Sequence, residues 1–131
     1  MNDYEKVKKQ YADEARARWG DTDAYRESER REKGRTKEQG QATLDGMSEL
    51  MRAFADMRTL DPADARAQAL VQRWQEYITA HFYPCTDEIL AGLGQMYTAD
   101  ERFKQNIDRC GEGTAGFMSC AIAAYCEARR A

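Results

Sequence analysis

Histidine is nearly missing from this sequence, with His81 the only one in 131 residues. That absence excludes a multi-histidine metal cluster and leaves a single imidazole for any nucleophile–base pair. The four cysteines, Cys85, Cys110, Cys120 and Cys126, form no C-x-x-C pair, so no zinc motif is present and a reducing compartment would keep them as thiols. No metal and no cofactor is expected. Proline occurs only at Pro62 and Pro84, and nowhere do polar and apolar residues alternate with the period of two that a strand needs. No apolar run approaches the roughly 18 to 20 residues that cross a bilayer, and the opening MNDYEKVKKQYADEARARWG has charges where a signal peptide needs an apolar core. A cytoplasmic protein with no membrane partner is the expectation.

The formal charge of −3 repels nucleic acid unless basic residues gather on one face. The one candidate, RESERREKGRTK over residues 26–37, is interrupted by Glu27, Glu29 and Glu32, whose spacing suits ion pairs along a solvated helix better than a phosphate track. Direct nucleic-acid contact is therefore not expected. A chain of this length, two-fifths apolar and one-third charged, makes one globular domain.

With little to break it, helix is the default throughout. Tyr4, Val7, Tyr11, Ala15 and Trp19 recur every three or four residues and predict a helix over 3–19 that Gly20 stops. Asp21 or Thr22 caps a short charged helix to about Lys33, with only Tyr25 to bury and Gly34 ending it. Thr36 starts a long helix to about Thr59, its broad face made by Leu44, Met47, Leu50, Met51, Phe54 and Met57. Asp61 and Pro62 read as the N-cap and first turn of the next, which carries Leu70, Val71, Trp74, Tyr77, Ile78, His81 and Phe82 inward until Pro84. Thr86 caps DEILAGLGQMY, with Ile89, Leu90, Leu93, Met96 and Tyr97 inside and Gly92 and Gly94 on the opposite side. Thr98 with Glu101 reads as a capping box for a helix bearing Phe103 and Ile107 that ends before Gly111, and Thr114 begins the last, to about Arg129, with Phe117, Met118, Ala121, Ile122 and Tyr125 inward. The expected architecture is all-α, with five core helices after two at the N-terminus that have little apolar surface.

Few residues could carry chemistry. His81 and Cys85 stand four apart, near enough to activate the thiol if one helix held both, but Pro84 lies between them. The acidic pairs Asp87–Glu88 and Asp100–Glu101 fall in first helical turns, where carboxylates are stabilised by backbone amides. GEGTAG, residues 111–116, lacks the lysine and the preceding strand of a phosphate loop. What stands out is an excess of aromatic and sulfur side chains: Trp74, Tyr77, His81, Phe82, Tyr83, Cys85, Met96, Tyr97 and Phe103. Such groups suit a groove for large, partly apolar molecules, and they equally suit a core. Periodicity does not separate the two.

The run HFYPCTDEILAGLGQMYTADERF resembles the antibiotic-recognition domain of TipA-type regulators of the MerR family, in its Phe-Tyr-x-Cys-Thr, Gly-Leu-x-x-Met-Tyr and Ala-Asp-x-Arg-Phe elements. The likeness continues upstream in RWGDTDAYRESERR and downstream in NID and GFMSCAIAAYC, so it covers nearly the whole chain. The resemblance implies a globin-like helical fold without haem, enclosing a cleft for thiopeptide antibiotics and other bulky hydrophobic drugs. It further implies that residues 1–35, with Trp19 and Tyr25, form a weakly ordered lid that closes on ligand over a core of residues 36–131. The ligand-binding residues expected on this basis are Trp19, Tyr25, Trp74, Tyr77, His81, Phe82, Cys85, Leu90, Gly92, Met96, Tyr97, Phe103 and Phe117.

Two positions depart from the pattern. Thiopeptide-capturing members carry a reactive cysteine seven residues after the Phe-Tyr-x-Cys cysteine, which adds to a dehydroalanine of the drug; here that residue is Gly92. Gly40 replaces a tryptophan that usually follows Thr-Lys-Glu-x. The resemblance thus implies reversible binding by a monomer, in the free-standing form of the domain, since no DNA-reading helix-turn-helix precedes Asp3. A protein-interaction domain whose groove takes an amphipathic helix is the alternative. An enzyme using Cys85 and His81 would need a thiolate titrating well below the ordinary ~8.5.

Overall fold

The computed structural model describes residues 22–130, which form six α-helices: α1 (Asp23–Lys33), α2 (Lys37–Asp56), α3 (Ala65–His81), α4 (Asp87–Ala99), α5 (Glu101–Asp108) and α6 (Thr114–Arg130). The helix expected over 3–19, with Trp19, lies outside the described residues. Among those described no strand occurs, and no helix is long and apolar enough to cross a membrane.

Helix starts follow side-chain caps. Thr22 Oγ1 accepts from Tyr25 N at 3.2 Å, and Thr86 Oγ1 accepts from Ile89 N at 3.2 Å. Thr36 and Gln39 form a reciprocal capping box, so the long helix opens where Thr36 was expected to start it. Two starts differ from the sequence expectation. Asp61 and Pro62 lie in a turn before α3: Asp61 Oδ1 accepts from Ala63 N, and the helix begins only after Asp64, whose carboxylate accepts from Arg66 N at 2.8 Å. Gln68 fixes that turn by donating to Pro62 O at 2.8 Å and to Ala121 O at 3.1 Å, so packing on α6 decides which aspartate caps. Likewise Thr98 belongs to α4, its hydroxyl donating back to Gln95 O, and Asp100 both ends α4 and caps α5 by accepting from Arg102 N. Aspartate outranks threonine as an N-cap, and using it leaves α4 an extra half-turn.

Helix α6 is central, packing against α2, α3, α4 and α5. It packs most extensively on α4, where Gly94 leaves room for Ile122: a Cβ at Gly94 would lie 2.9 Å from Ile122 Cγ2. Gly94 is therefore on the buried face with Leu90, Leu93 and Tyr97, the four at the i, i+3, i+4 and i+7 positions of one helix side, and not opposite it as the sequence suggested. Gly94→Ala is expected to destabilise the domain by about 1–3 kcal/mol through overpacking, although alanine is the better helix former; urea unfolding measures it.

Trp74 sits at the middle of the core with no exposed surface, edge-on to Phe54 at 6.1 Å and to Tyr97 at 6.3 Å between ring centroids. Phe103 tilts onto Tyr97 from the other side at 6.4 Å. Val71, Leu90, Ile107, Met118 and Ile122 fill the remaining space. Gly113, at φ +90°, makes the left-handed turn into α6 that a side chain would strain, and Asp108 Oδ1 accepts from Ala115 N to satisfy the new helix end.

Candidate functional site

The expected ligand-binding residues fall into two groups. Trp74, Leu90 and Phe103 are fully enclosed, and Cys85, Met96, Tyr97 and Phe117 are buried, so in this arrangement they stand behind a surface and set its shape. Tyr77, His81 and Phe82, at the C-terminal end of α3, are half-buried, as is Tyr25 on α1, while Gly92 is exposed on α4 with nothing within 4 Å of where a Cβ would be.

The end of α3 brings three of these together. Tyr77 and His81, one helical turn apart, lie with ring centroids 4.2 Å apart and planes tilted by 39°. The Tyr77 hydroxyl donates to Thr43 O of α2 at 2.6 Å, passing over Gly46, where a Cβ would collide with that hydroxyl. Phe82 ends the row, with the Arg35 guanidinium carbon 5.2 Å above its ring, near enough for cation–π attraction. Arg31 reaches the same end and donates from Nη1 to Thr79 O at 2.7 Å. Gly46→Ala is expected to push Tyr77 off Thr43, separate it from His81 and cost about 1–3 kcal/mol, seen as a lowered denaturation midpoint together with a changed His81 imidazole chemical shift.

Burial favours the uncharged forms of the two rings at this end. Burial lowers the His81 pKa below the ordinary value of 6.5, and Arg35 and Arg31 push the same way. Tyr77 is raised, chiefly by burial, with Arg35 opposing and Glu49 and Asp45 adding to it. The Cys85 thiol is pushed up to about 12 by burial, with Cys126 and Asp87 adding to the effect, and its sulfur faces Thr86 O at 3.9 Å. Burial thus favours the protonated thiol of Cys85 at neutral pH. Among the described residues no cluster of three or more His, Cys, Asp or Glu could hold a metal ion.

A polar clasp closes the far side. Gln75 donates to Asp87 Oδ1 at 2.8 Å and to Cys85 O at 2.9 Å, and accepts from the Tyr125 hydroxyl at 3.0 Å. Arg129 Nε donates to Asp87 Oδ2 at 2.7 Å while its guanidinium lies over Tyr125. Arg129 and Gln75 hold the Asp87 carboxyl below its ordinary range, so this clasp weakens as pH falls through that lowered value. Sequence reading missed Thr43, Gly46, Arg31, Arg35 and this clasp. For Thr43 and Gly46 a signal existed, since a half-buried tyrosine needs an acceptor and a neighbouring gap; a contact such as Arg31 with Thr79, 48 residues apart, leaves no local trace.

The family model of the TipAS antibiotic-recognition domain matches residues 11–125. The HTH-type transcriptional activator TipA of Streptomyces coelicolor is 42% identical over 117 residues, covering 88% of this chain and 46% of that protein. The HTH-type transcriptional activator mta of Bacillus subtilis is 35% identical over 127 residues, 97% of this chain and 49% of that protein. The chain thus spans about half the length of the curated relatives it matches. A solved structure from a thiopeptide antibiotic multidrug resistance system of Streptomyces lividans, TipAS in complex with nosiheptide, superposes with a TM-score of 0.82 at 35% identity, over 94% of this chain and 87% of that one. The all-α fold is accordingly globin-like, with α2–α6 as its five core helices. On the extent of the family match and on these identities, the chain belongs to the TipAS antibiotic-recognition domain family.

Proposed function

We propose that this domain binds thiopeptide and other bulky hydrophobic antibiotics reversibly, with Tyr77, His81, Phe82 and Gly92 on the ligand side and the buried set around Trp74, Cys85, Leu90, Met96, Tyr97, Phe103 and Phe117 shaping the surface from behind. The observation that carries the reading is the likeness, at 35% identity and over most of both chains, to a domain with nosiheptide in its complex. Neutral His81 stacked on Tyr77, with Phe82 beside it, offers flat apolar faces of the kind that large planar ligands stack on. Residues 1–35, with Trp19 and Tyr25, act as a lid over the core of residues 36–131. Cys85, protonated and enclosed, supports a binding role and not an enzymatic one. The domain works in the cytoplasm as a monomer and makes no nucleic-acid contact of its own, in keeping with its net charge of −3.

Isothermal titration with nosiheptide tests the proposal, followed in parallel by the fluorescence of Trp19 and Trp74. Saturable one-to-one binding is expected, with the protein recovered at unchanged mass. Heat-silent titrations with nosiheptide, a second thiopeptide and a panel of planar hydrophobic drugs would sink it.

A further inference from the structure

Tyr77 and His81 share one stack but differ in what their polar atoms do. The Tyr77 hydroxyl is committed to Thr43 O at 2.6 Å, whereas among the described residues neither ring nitrogen of His81 has a hydrogen-bond partner. The imidazole is half-buried and its centroid lies 4.2 Å from that of Tyr77, so the stack covers one face while both nitrogens keep their hydrogen-bonding capacity. The polar groups around it are engaged. Thr79 O accepts from Arg31 Nη1 at 2.7 Å, and Thr79 Oγ1 accepts from Cys85 N at 3.1 Å. Glu27 accepts from Arg30 and Arg31, and Glu32 accepts from Arg35 at 3.0 Å. A guanidinium can only donate, while a neutral imidazole donates from one nitrogen and accepts at the other, so His81 brings an open acceptor to this end of α3.

We propose that His81 recognises the peptide part of the ligand: an unprotonated ring nitrogen accepts a hydrogen bond from an amide N–H of a peptide antibiotic while the ring face stacks on its flat groups. The inference rests on the antibiotic-binding reading for its ligand and adds a directional contact to the stacking one. Apolar burial alone is non-directional and favours any flat molecule of similar area. A ligand lacking the N–H would leave the nitrogen desolvated and unpaired, which is how such a residue discriminates between peptides and simple planar drugs.

An acceptor nitrogen has a pH signature, because protonation turns it into a donor. The charged or titratable groups facing His81 are Tyr77 on its own helix, Arg31 of α1 and Arg35 in the link between α1 and α2; Glu27 and Glu32 pair with those arginines, and Asp45 and Glu49 of α2 act on Tyr77. Burial, then the two guanidinium groups, hold the His81 pKa below 6.5, so the acceptor is present above that pH and is lost as pH falls through the lowered value.

The test is isothermal titration with nosiheptide from pH 7.5 to about pH 5, in wild type, His81→Phe and His81→Gln, with the urea midpoint of each variant confirming that it is folded. Phenylalanine keeps a flat face and deletes the acceptor, so at pH 7.5 it should raise the Kd roughly tenfold, the scale of one hydrogen bond. Glutamine offers an amide oxygen that does not titrate, so it should bind far closer to wild type at pH 7.5 and lose the wild type's weakening on acidification. In the wild type, the His81 titration read from its imidazole chemical shifts should move to lower pH when nosiheptide is bound, and this readout stands even where a variant fails to fold. Wild-type affinity in a folded His81→Phe, equal weakening on acidification in wild type and His81→Gln, or a His81 titration unmoved by nosiheptide would overturn the inference and leave the residue a flat face alone. No nosiheptide binding by the wild type at any pH would overturn the antibiotic reading itself, and the inference with it.

Discussion

Trp74→Ala should lose about 3–5 kcal/mol of folding stability, the range for emptying a large aromatic site in a core. Trp74 is fully enclosed, and both its aromatic neighbours, Phe54 and Tyr97, meet it edge-on, so neither can close the space without losing its own contacts. Against a total of about 5–15 kcal/mol for a domain, such a loss removes about a fifth of the stability or more and lowers the denaturation midpoint accordingly. Trp74→Phe should cost much less than its lost volume implies. The indole Nε1–H is buried with no hydrogen-bond partner among the described residues, and phenylalanine removes that unpaired donor, recovering about 1–3 kcal/mol of desolvation cost. Denaturant unfolding of the two variants therefore separates cavity from polarity. Equal losses in both would mean that the indole N–H is satisfied in solution.

Trp74 also marks how far the sequence could be read. Its place on an inward helix face followed from its spacing with Leu70, Val71 and Ile78, all buried. Helix starts at Thr36 and Thr86 were legible, and that at Thr22 to within one residue, because each cap is a local hydrogen bond. Where two caps competed, the choice of Asp64 over Asp61 fell to longer-range packing that no window contains, and the choice of Asp100 over Thr98 to the stronger local cap, which the capping-box pattern had masked. Gly94 was placed on the wrong side because a residue without a side chain adds nothing to an apolar pattern, even where its smallness is what lets α4 meet α6. The candidate site was legible in part for a similar reason. Core and groove draw on the same aromatic residues, so spacing could name Trp74 and Tyr77 together but could not tell that one is enclosed and the other half-buried. The resemblance narrowed the function, and only the folded chain joined Arg31 and Arg35 to the end of α3.

Gly92→Cys is expected to change the mode of binding from reversible to covalent. Gly92 is exposed in the middle of α4 with nothing within 4 Å of a Cβ, so a side chain enters without displacing a neighbour. Gly92→Ala, the control, should raise stability by up to about 1 kcal/mol by removing a glycine from a helix interior. With cysteine there, a thiolate adds to the methylene carbon of a thiopeptide's dehydroalanine: a C–S bond forms, the C=C π bond is consumed, and the α-carbon takes a proton. Nothing leaves, so the adduct weighs protein plus drug. An exposed thiol with an ordinary pKa of ~8.5 is under one-tenth ionised at pH 7, so capture should be slow and should quicken as pH rises towards that value. Cys85 offers an internal contrast, since a thiol pushed up to about 12 and buried does not compete. Denaturing mass spectrometry over hours at pH 7 and pH 8 follows the adduct, with wild type and Gly92→Ala remaining at native mass. Tight reversible binding by Gly92→Cys without an adduct at either pH would place residue 92 away from the dehydroalanine, and the ligand would then have to lie along a different face of α4.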